Sequence, residues 1–212
     1  MSGPFRIAIP KGRLQQRVLE IFAAAGLELP ESEIAGSRRL IFNSNGIEWV
    51  LVKDVDAPRY VESGAASIGV AGRDQILEQK SDVYQPLELP FGRCRLMLIG
   101  SPDAPPLVEA RAIATKYPNL TRAFAEARGL HARVIPLAGS VELAPLVGIA
   151  PYIVDLVETG ATIREHGLIP LETLEEIAPC LIVNRNAYRI DGERIRHIVE
   201  LVEQALPKEV AV

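Results

Sequence analysis

RIAIPKGRLQQRVLEIFAAAG, residues 6–26, is the stretch that decides the fold class. Its first residues, Arg6 to Ile9, form a short apolar run of the kind that becomes a buried strand, broken by Pro10 and Gly12. Leu14, Val18, Ile21, Phe22 and Ala25 then recur at helical spacing on one face, and Gly26 supplies a C-terminal cap. Strand, glycine-bearing loop and amphipathic helix in series are the building unit of an α/β protein.

The alternation continues outward from this unit. Residues 40–42 and 47–52 flank Asn45-Gly46, a hairpin signal. Asp56, Pro58 and Gly64 bracket a short helix as N-cap, early proline and C-cap. Residues 67–71 read as a buried strand ending at Gly72, with a helix through Ile76 and Leu77. Further strands are expected at 83–89, 94–99, 112–114, 133–135, 153–157 and 180–183. Helices are expected at 120–128, at 143–147 (complicated by Pro145) and at 192–206. The most loop-like stretch is 100–106, which composition alone marks as a linker. Two α/β lobes with a ligand cleft between them are the expected arrangement.

Composition narrows the class of function. Lys and Arg number 23 against 27 Asp and Glu, a formal charge of −4, which excludes a general nucleic-acid binder but not a ligand carrying a few phosphates. A 48% hydrophobic share excludes disordered and collagen-like chains. No basic-then-apolar leader opens the sequence and no run approaches a membrane span, so a cytoplasmic protein with no membrane partner is expected. Cys94 and Cys180 read as buried packing residues, and His131, His166 and His197 as surface or loop residues. None has metal-site spacing. Trp49 and Tyr60 read as partial core, Arg38-Arg39 as solvated, and Glu172, Glu175 and Glu176 as a solvated face. Walker A, GxGxxG and GxSxG sequences are absent.

Chemistry concentrates in IVDLVETGAT, residues 153–162. A buried strand delivers Asp155 and Glu158, and Thr159-Gly160-Ala161-Thr162 turns toward a helix. Hydroxyls, a glycine and backbone N–H groups at such a turn make a nest for a phosphate dianion. The carboxylates upstream suit vicinal sugar hydroxyls. Read alone, the segment equally suits an ordinary turn with an N-capping threonine. Lys11 and Arg13 beside Gly12 suit a di- or triphosphate, or are simply two solvated cations.

Four segments in order carry a more specific signal: IPKGRL (9–14), ATKYPN (114–119), GSVELAP (139–145) and IVDLVETGAT (153–162). Together they resemble the ATP phosphoribosyltransferases that open histidine biosynthesis, over Ile7 to Asn184. The resemblance implies two α/β lobes like the type II periplasmic binding proteins. Lobe I would be residues 1–92 plus 179–212, and lobe II residues 93–178 with the phosphate turn, so the crossover falls near Arg93 and the return near Pro179 rather than at the 102–106 loop. It implies condensation of ATP with 5-phosphoribosyl-1-pyrophosphate to N1-(5-phosphoribosyl)-ATP and pyrophosphate. Asp155, Lys11 and Glu142 would be catalytic. Asp155, Glu158, Thr159, Gly160, Ala161 and Thr162 would hold phosphoribosyl pyrophosphate. Lys11, Gly12, Arg13, Lys53, Asp74 and Arg95 would lie around ATP or pyrophosphate. Mg²⁺ would arrive on substrate phosphates, with no metal site built from protein alone.

About 28 residues follow Asn184, and the expected helix at 192–206 uses most of them. That length resembles the short form of the family, without the histidine-binding domain of the long form. The resemblance then implies a homodimer joined by a regulatory subunit similar to histidyl-tRNA synthetase. Two departures stand out: Ala150-Pro151-Tyr152 where relatives carry Ala-Asp, and Ser67 where they often carry an acid. Rival classes are a non-catalytic anion-binding protein of the same fold and a phosphoribosyltransferase for another base. The second leaves PKGRL and ATKYPN unexplained.

Overall fold

A computed structural model describes residues 4–29, 34 and 37–207. The chain forms two compact units. The first runs through Gly92 and resumes at Ala178, and the second spans Arg93–Ile177. The loop at 100–106 lies inside the second unit.

The first unit is built on a six-stranded sheet. Its strands are β1 (Arg6–Lys11), β2 (Ile41–Ser44), β3 (Ile47–Lys53), β4 (Ile68–Gly72), β5 (Val83–Glu88) and, from the returning chain, β11 (Pro179–Asn184), in the order β2-β3-β1-β4-β11-β5. β1, β3 and β4 are mutually parallel, and β2, β5 and β11 run against their neighbours. Period-2 alternation splits the strand residues between two faces. Ile7, Ile9, Trp49, Leu51, Ile68 and Val70 join Val18 and Phe22 of α1 (Gln15–Ala24) and Ile195, Ile198 and Val202 of the helix Gly192–Ala205 in one core. Ala8, Val50, Val52 and Ala71 pack on the other face with Val61 of the helix Ala57–Glu62 and Ile76 of the helix Arg73–Gln79. Strands covered on both sides need near-continuous apolar sequence, and β4 is buried throughout.

The Asn45-Gly46 hairpin forms, with both residues at positive φ (51° and 72°), as a two-residue loop between twisted strands requires. Trp49 is wholly buried, edge-on to Phe22 at 5.4 Å, rather than partial core, whereas Tyr60 is exposed. The difference is register: Trp49 sits on the inward face of a central strand, and Tyr60 on the outer side of a short helix.

The second unit holds a five-stranded sheet in the order β10-β6-β9-β7-β8. Its members are β6 (Cys94–Gly100), β7 (Ala112–Thr115), β8 (Arg133–Pro136), β9 (Tyr152–Val157) and β10 (Ile169–Ile177). β7, β8 and β9 are parallel, while β6 is antiparallel to both β9 and β10. Helices Pro118–Ala127, Leu143–Leu146 and Ala161–Glu165 follow β7, β8 and β9, and Pro145 sits within a single turn. β10 is an element the sequence pattern did not announce. It is an edge strand with two register shifts; Glu175 and Glu176 are exposed, as expected, whereas Glu172 is half-buried and pairs with Arg128. The helix Arg185–Ile190 was also unannounced; Asn184 caps it by accepting the Ala187 N–H at 2.7 Å. Among the described residues, no helix is long and apolar enough to cross a membrane.

Candidate active site

Every one of the four sequence segments lies at the carboxyl end of a parallel strand. IPKGRL closes β1, ATKYPN closes β7, GSVELAP follows β8, and IVDLVETGAT is β9 with its exit turn. Carboxyl ends of parallel strands are where α/β sheets bind ligands, because loops diverge there and helix N-termini point outward.

In the second unit, β9 carries Asp155 to a half-buried position and then exits at the exposed Glu158 and Thr159. Gly160 has φ +74°, a left-handed conformation that L side chains rarely adopt, and it caps the helix Ala161–Glu165. Ala161 N–H donates to Thr159 Oγ1 at 3.4 Å, and Arg164 N–H to Gly160 O at 3.1 Å. Gly160 therefore reverses the chain so that threonine hydroxyls and backbone N–H groups collect on one short turn.

Lys116 was not singled out as a site residue from the sequence, although it lies within ATKYPN. Its Nζ stands 3.6 Å from Asp155 Oδ2. The pairing follows from topology: Thr115 is in register with Val154 in the parallel β7–β9 ladder, so the next residues, Lys116 and Asp155, are neighbours. Leu156 N–H donates to the other Asp155 oxygen at 2.9 Å. Burial pushes the Asp155 carboxyl above its ordinary value. Lys116 and the Leu156 N–H oppose that rise, and Glu142 adds to it by like charge. Glu142 thus reaches the same neighbourhood, at the start of the single turn after β8. Arg95 is exposed on β6, in register with Val157 on one side and Glu176 on the other.

In the first unit, Lys11 and Lys53 are the last residues of β1 and β3 and are register partners. Gly12 follows at φ +96° with open space where a Cβ would stand, and Arg13 is exposed beyond it. β1 is also where the strand order reverses, with β3 on one side and β4 on the other. Asp74, in the first turn after β4, is buried rather than open and accepts a hydrogen bond from Gln75 Nε2 at 2.8 Å. Its carboxylate is engaged in the fold at that strand end. Lys11, Gly12, Arg13, Lys53 and Asp74 thus belong to the first unit, and Arg95 with the Asp155–Thr162 group to the second.

The remaining reactive side chains lie elsewhere. Cys94 and Cys180 are both buried and not joined in a disulfide, and burial with Glu88 nearby pushes the Cys180 thiol up to about 11. His131 and His197 are exposed, and His166 is half-buried where the helix Ala161–Glu165 ends. Among the described residues no group of three or more His, Cys, Asp or Glu is arranged to hold a metal ion.

Comparison with known proteins points one way. Residues 53–204 match the family model described as HisG: ATP phosphoribosyltransferase. The chain is 42% identical to an ATP phosphoribosyltransferase of Syntrophotalea carbinolica, across 99% of this chain and 98% of that one. It is 42% identical to another from Nitrosococcus oceani, covering 99% of both chains. Among solved structures it is similar to the ATP phosphoribosyl transferase (HisG:HisZ) complex from Thermotoga maritima. That likeness has a TM-score of 0.85 at 34% identity, over 95% of this chain and 98% of that chain. The two-unit α/β fold expected from the sequence is the one observed.

Proposed function

We infer the reaction from a plain premise: the chain belongs to the ATP phosphoribosyltransferase family, and it is an enzyme of that class. It condenses ATP with 5-phosphoribosyl-1-pyrophosphate, giving N1-(5-phosphoribosyl)-ATP and pyrophosphate, the first step of histidine biosynthesis. The observation that carries the assignment of roles is the unbroken run from Asp155 to Thr162, a buried strand feeding a glycine-reversed, hydroxyl-rich turn.

On this reading Thr159, Gly160, Ala161 and Thr162 hold the 5′-phosphate, and Asp155 and Glu158 face the ribose. Adenine N1 already carries its lone pair, so no base is needed before attack. The costly event is departure of pyrophosphate, with positive charge growing at C1 and the ring oxygen. Asp155 and Glu142 together place negative charge where that cation develops. Lys11, Lys53, Arg13 and Arg95 supply positive charge for phosphates of ATP or of the leaving pyrophosphate, and Gly12 lets the backbone approach them. Asp74 contributes by shaping the end of β4. Mg²⁺ would arrive carried by phosphate oxygens, and it would neutralise leaving-group charge.

We further propose a cytoplasmic enzyme that forms a homodimer and joins a regulatory subunit. The likeness to a HisG:HisZ complex supports the partner. The direct test is to incubate the protein with Mg²⁺, ATP and phosphoribosyl pyrophosphate and follow the adduct by absorbance and mass. Formation with ATP alone among purine and pyrimidine acceptors is the expected outcome. Transfer to another base instead would refute the assignment.

A further inference from the structure

The ATKYPN segment supplies a residue to which the reading above gave no task. Thr115 is completely buried, and its hydroxyl makes two bonds at once: it donates to Val154 O on β9 and accepts the Tyr117 N–H, each at 2.8 Å. Tyr117 is itself buried. Lys116 is thus clamped from both sides at the point where β7 leaves the sheet, and its ammonium lies 3.6 Å from Asp155 Oδ2. The Leu156 N–H holds the other carboxylate oxygen at 2.9 Å. The Asp155 side chain is only 18% exposed, so solvent does little to fix its charge or direction.

We propose that Lys116 is a positioning residue: held by the Thr115 clamp, it orients the Asp155 carboxylate and supplies its counter-charge. This rests on the role of Asp155 in the reaction. The charged groups on the elements around Asp155 are Lys116 after β7, Glu142 at the start of the helix after β8, Arg95 on β6, and Glu158 along its own chain. Burial opposes ionisation of Asp155 most, Glu142 adds a little, and Lys116 is the cation set against both. A lysine that only filled space would have no reason to place its ammonium 3.6 Å from the carboxylate one residue beyond the last pair of the parallel ladder.

The test uses Lys116→Met and Lys116→Arg in the full chain, with two readouts. The first is the pH profile of kcat/KM. Lys116→Met should move the acid limb upward by about one pH unit and lower kcat/KM at least about tenfold near that limb, while Lys116→Arg restores both. The second is the ¹³C titration of the Asp155 carboxyl without substrate, which should shift upward in Lys116→Met alone. In an Asp155→Asn background, Lys116→Met should cost less than about threefold, because its route of action is gone. An unmoved acid limb and titration, with only melting temperature lowered, would make Lys116 structural and overturn the proposal. A loss that persists undiminished beside Asp155→Asn would place Lys116 on substrate and overturn it too. Full activity in Asp155→Asn itself is a separate result, and it would overturn the role of Asp155 along with that of its positioner.

Discussion

Lys11 and Lys53 are register partners across the parallel β1–β3 ladder, each the last residue of its strand and each exposed. Adjacent strands lie about 4.8 Å apart, so two like-charged side chains rise from neighbouring backbone positions, an arrangement that repels rather than adds to folding. On the proposed reading the pair serves an anion that arrives later. Lys53→Met should therefore leave thermal stability unchanged or slightly raised, and weaken binding of ATP or pyrophosphate by about tenfold, about 1.4 kcal/mol. Calorimetric titration and a melting curve on one preparation check both halves. A variant with lowered stability and intact affinity would sink the idea.

Gly160→Val tests the phosphate turn. The space around Gly160 is not the obstacle, since its nearest neighbour to an added Cβ is the flexible end of Arg164 at 2.9 Å. The obstacle is φ +74°, which a β-branched residue tolerates poorly, at a cost of about 1–2 kcal/mol. The turn should relax to another conformation, and affinity for phosphoribosyl pyrophosphate should fall at least about tenfold. Unchanged affinity in a folded variant removes the turn from the site.

Asp155→Asn separates catalysis from stability. Burial raises the folded-state pKa of Asp155 above its unfolded value, so the folded protein holds this proton more tightly. The stability this contributes is complete below the unfolded value and is lost as pH rises through the higher folded value. Asparagine carries no such proton. The stability advantage of the native protein over the variant should shrink across that window, from the ordinary carboxylate range upward, while kcat/KM at neutral pH drops at least about tenfold. Denaturation series at several pH values, run beside kinetics, decide it. Activity lost only in step with unfolding would make Asp155 a structural carboxylate.

Both thiols should be silent in the native state. Burial pushes the Cys180 thiol up to about 11, so its thiolate at pH 8 is scarce, and burial shields both cysteines from reagent. A coloured thiol reagent should react with neither until denaturant is added. Rapid modification of one thiol in the folded enzyme would contradict this.

Regulation by histidine is expected to require a second protein. The Thermotoga maritima neighbour, aligned over 98% of its chain, comes from a two-protein complex. Activity of the purified chain should be indifferent to histidine and become sensitive once a HisZ-type subunit is added, with coupling passing through the subunit interface. Strong inhibition of the chain alone would place the sensor within these 212 residues.

Much of this molecule was legible from local pattern. Short apolar runs marked β1, β3, β4, β6 and β9, helical spacing marked Gln15–Ala24 and Gly192–Ala205, and Asn45-Gly46 marked its hairpin, because these signals act over a few residues of chain. The four motifs that led to the family were equally local. β10 was not legible: an edge strand with a proline, two register shifts and three glutamates satisfies its backbone against one neighbour only, and its sequence looks like a solvated surface. Trp49 was underestimated for a related reason, since burial depends on which face of which central strand a residue occupies. Adjacency was decided by tertiary structure alone. That Lys11 stands beside Lys53, and Lys116 beside Asp155, is a matter of ladder register between strands distant in sequence, set by how the two faces of each sheet are covered. Residue types announced the chemistry; the register of parallel strands chose which charges meet.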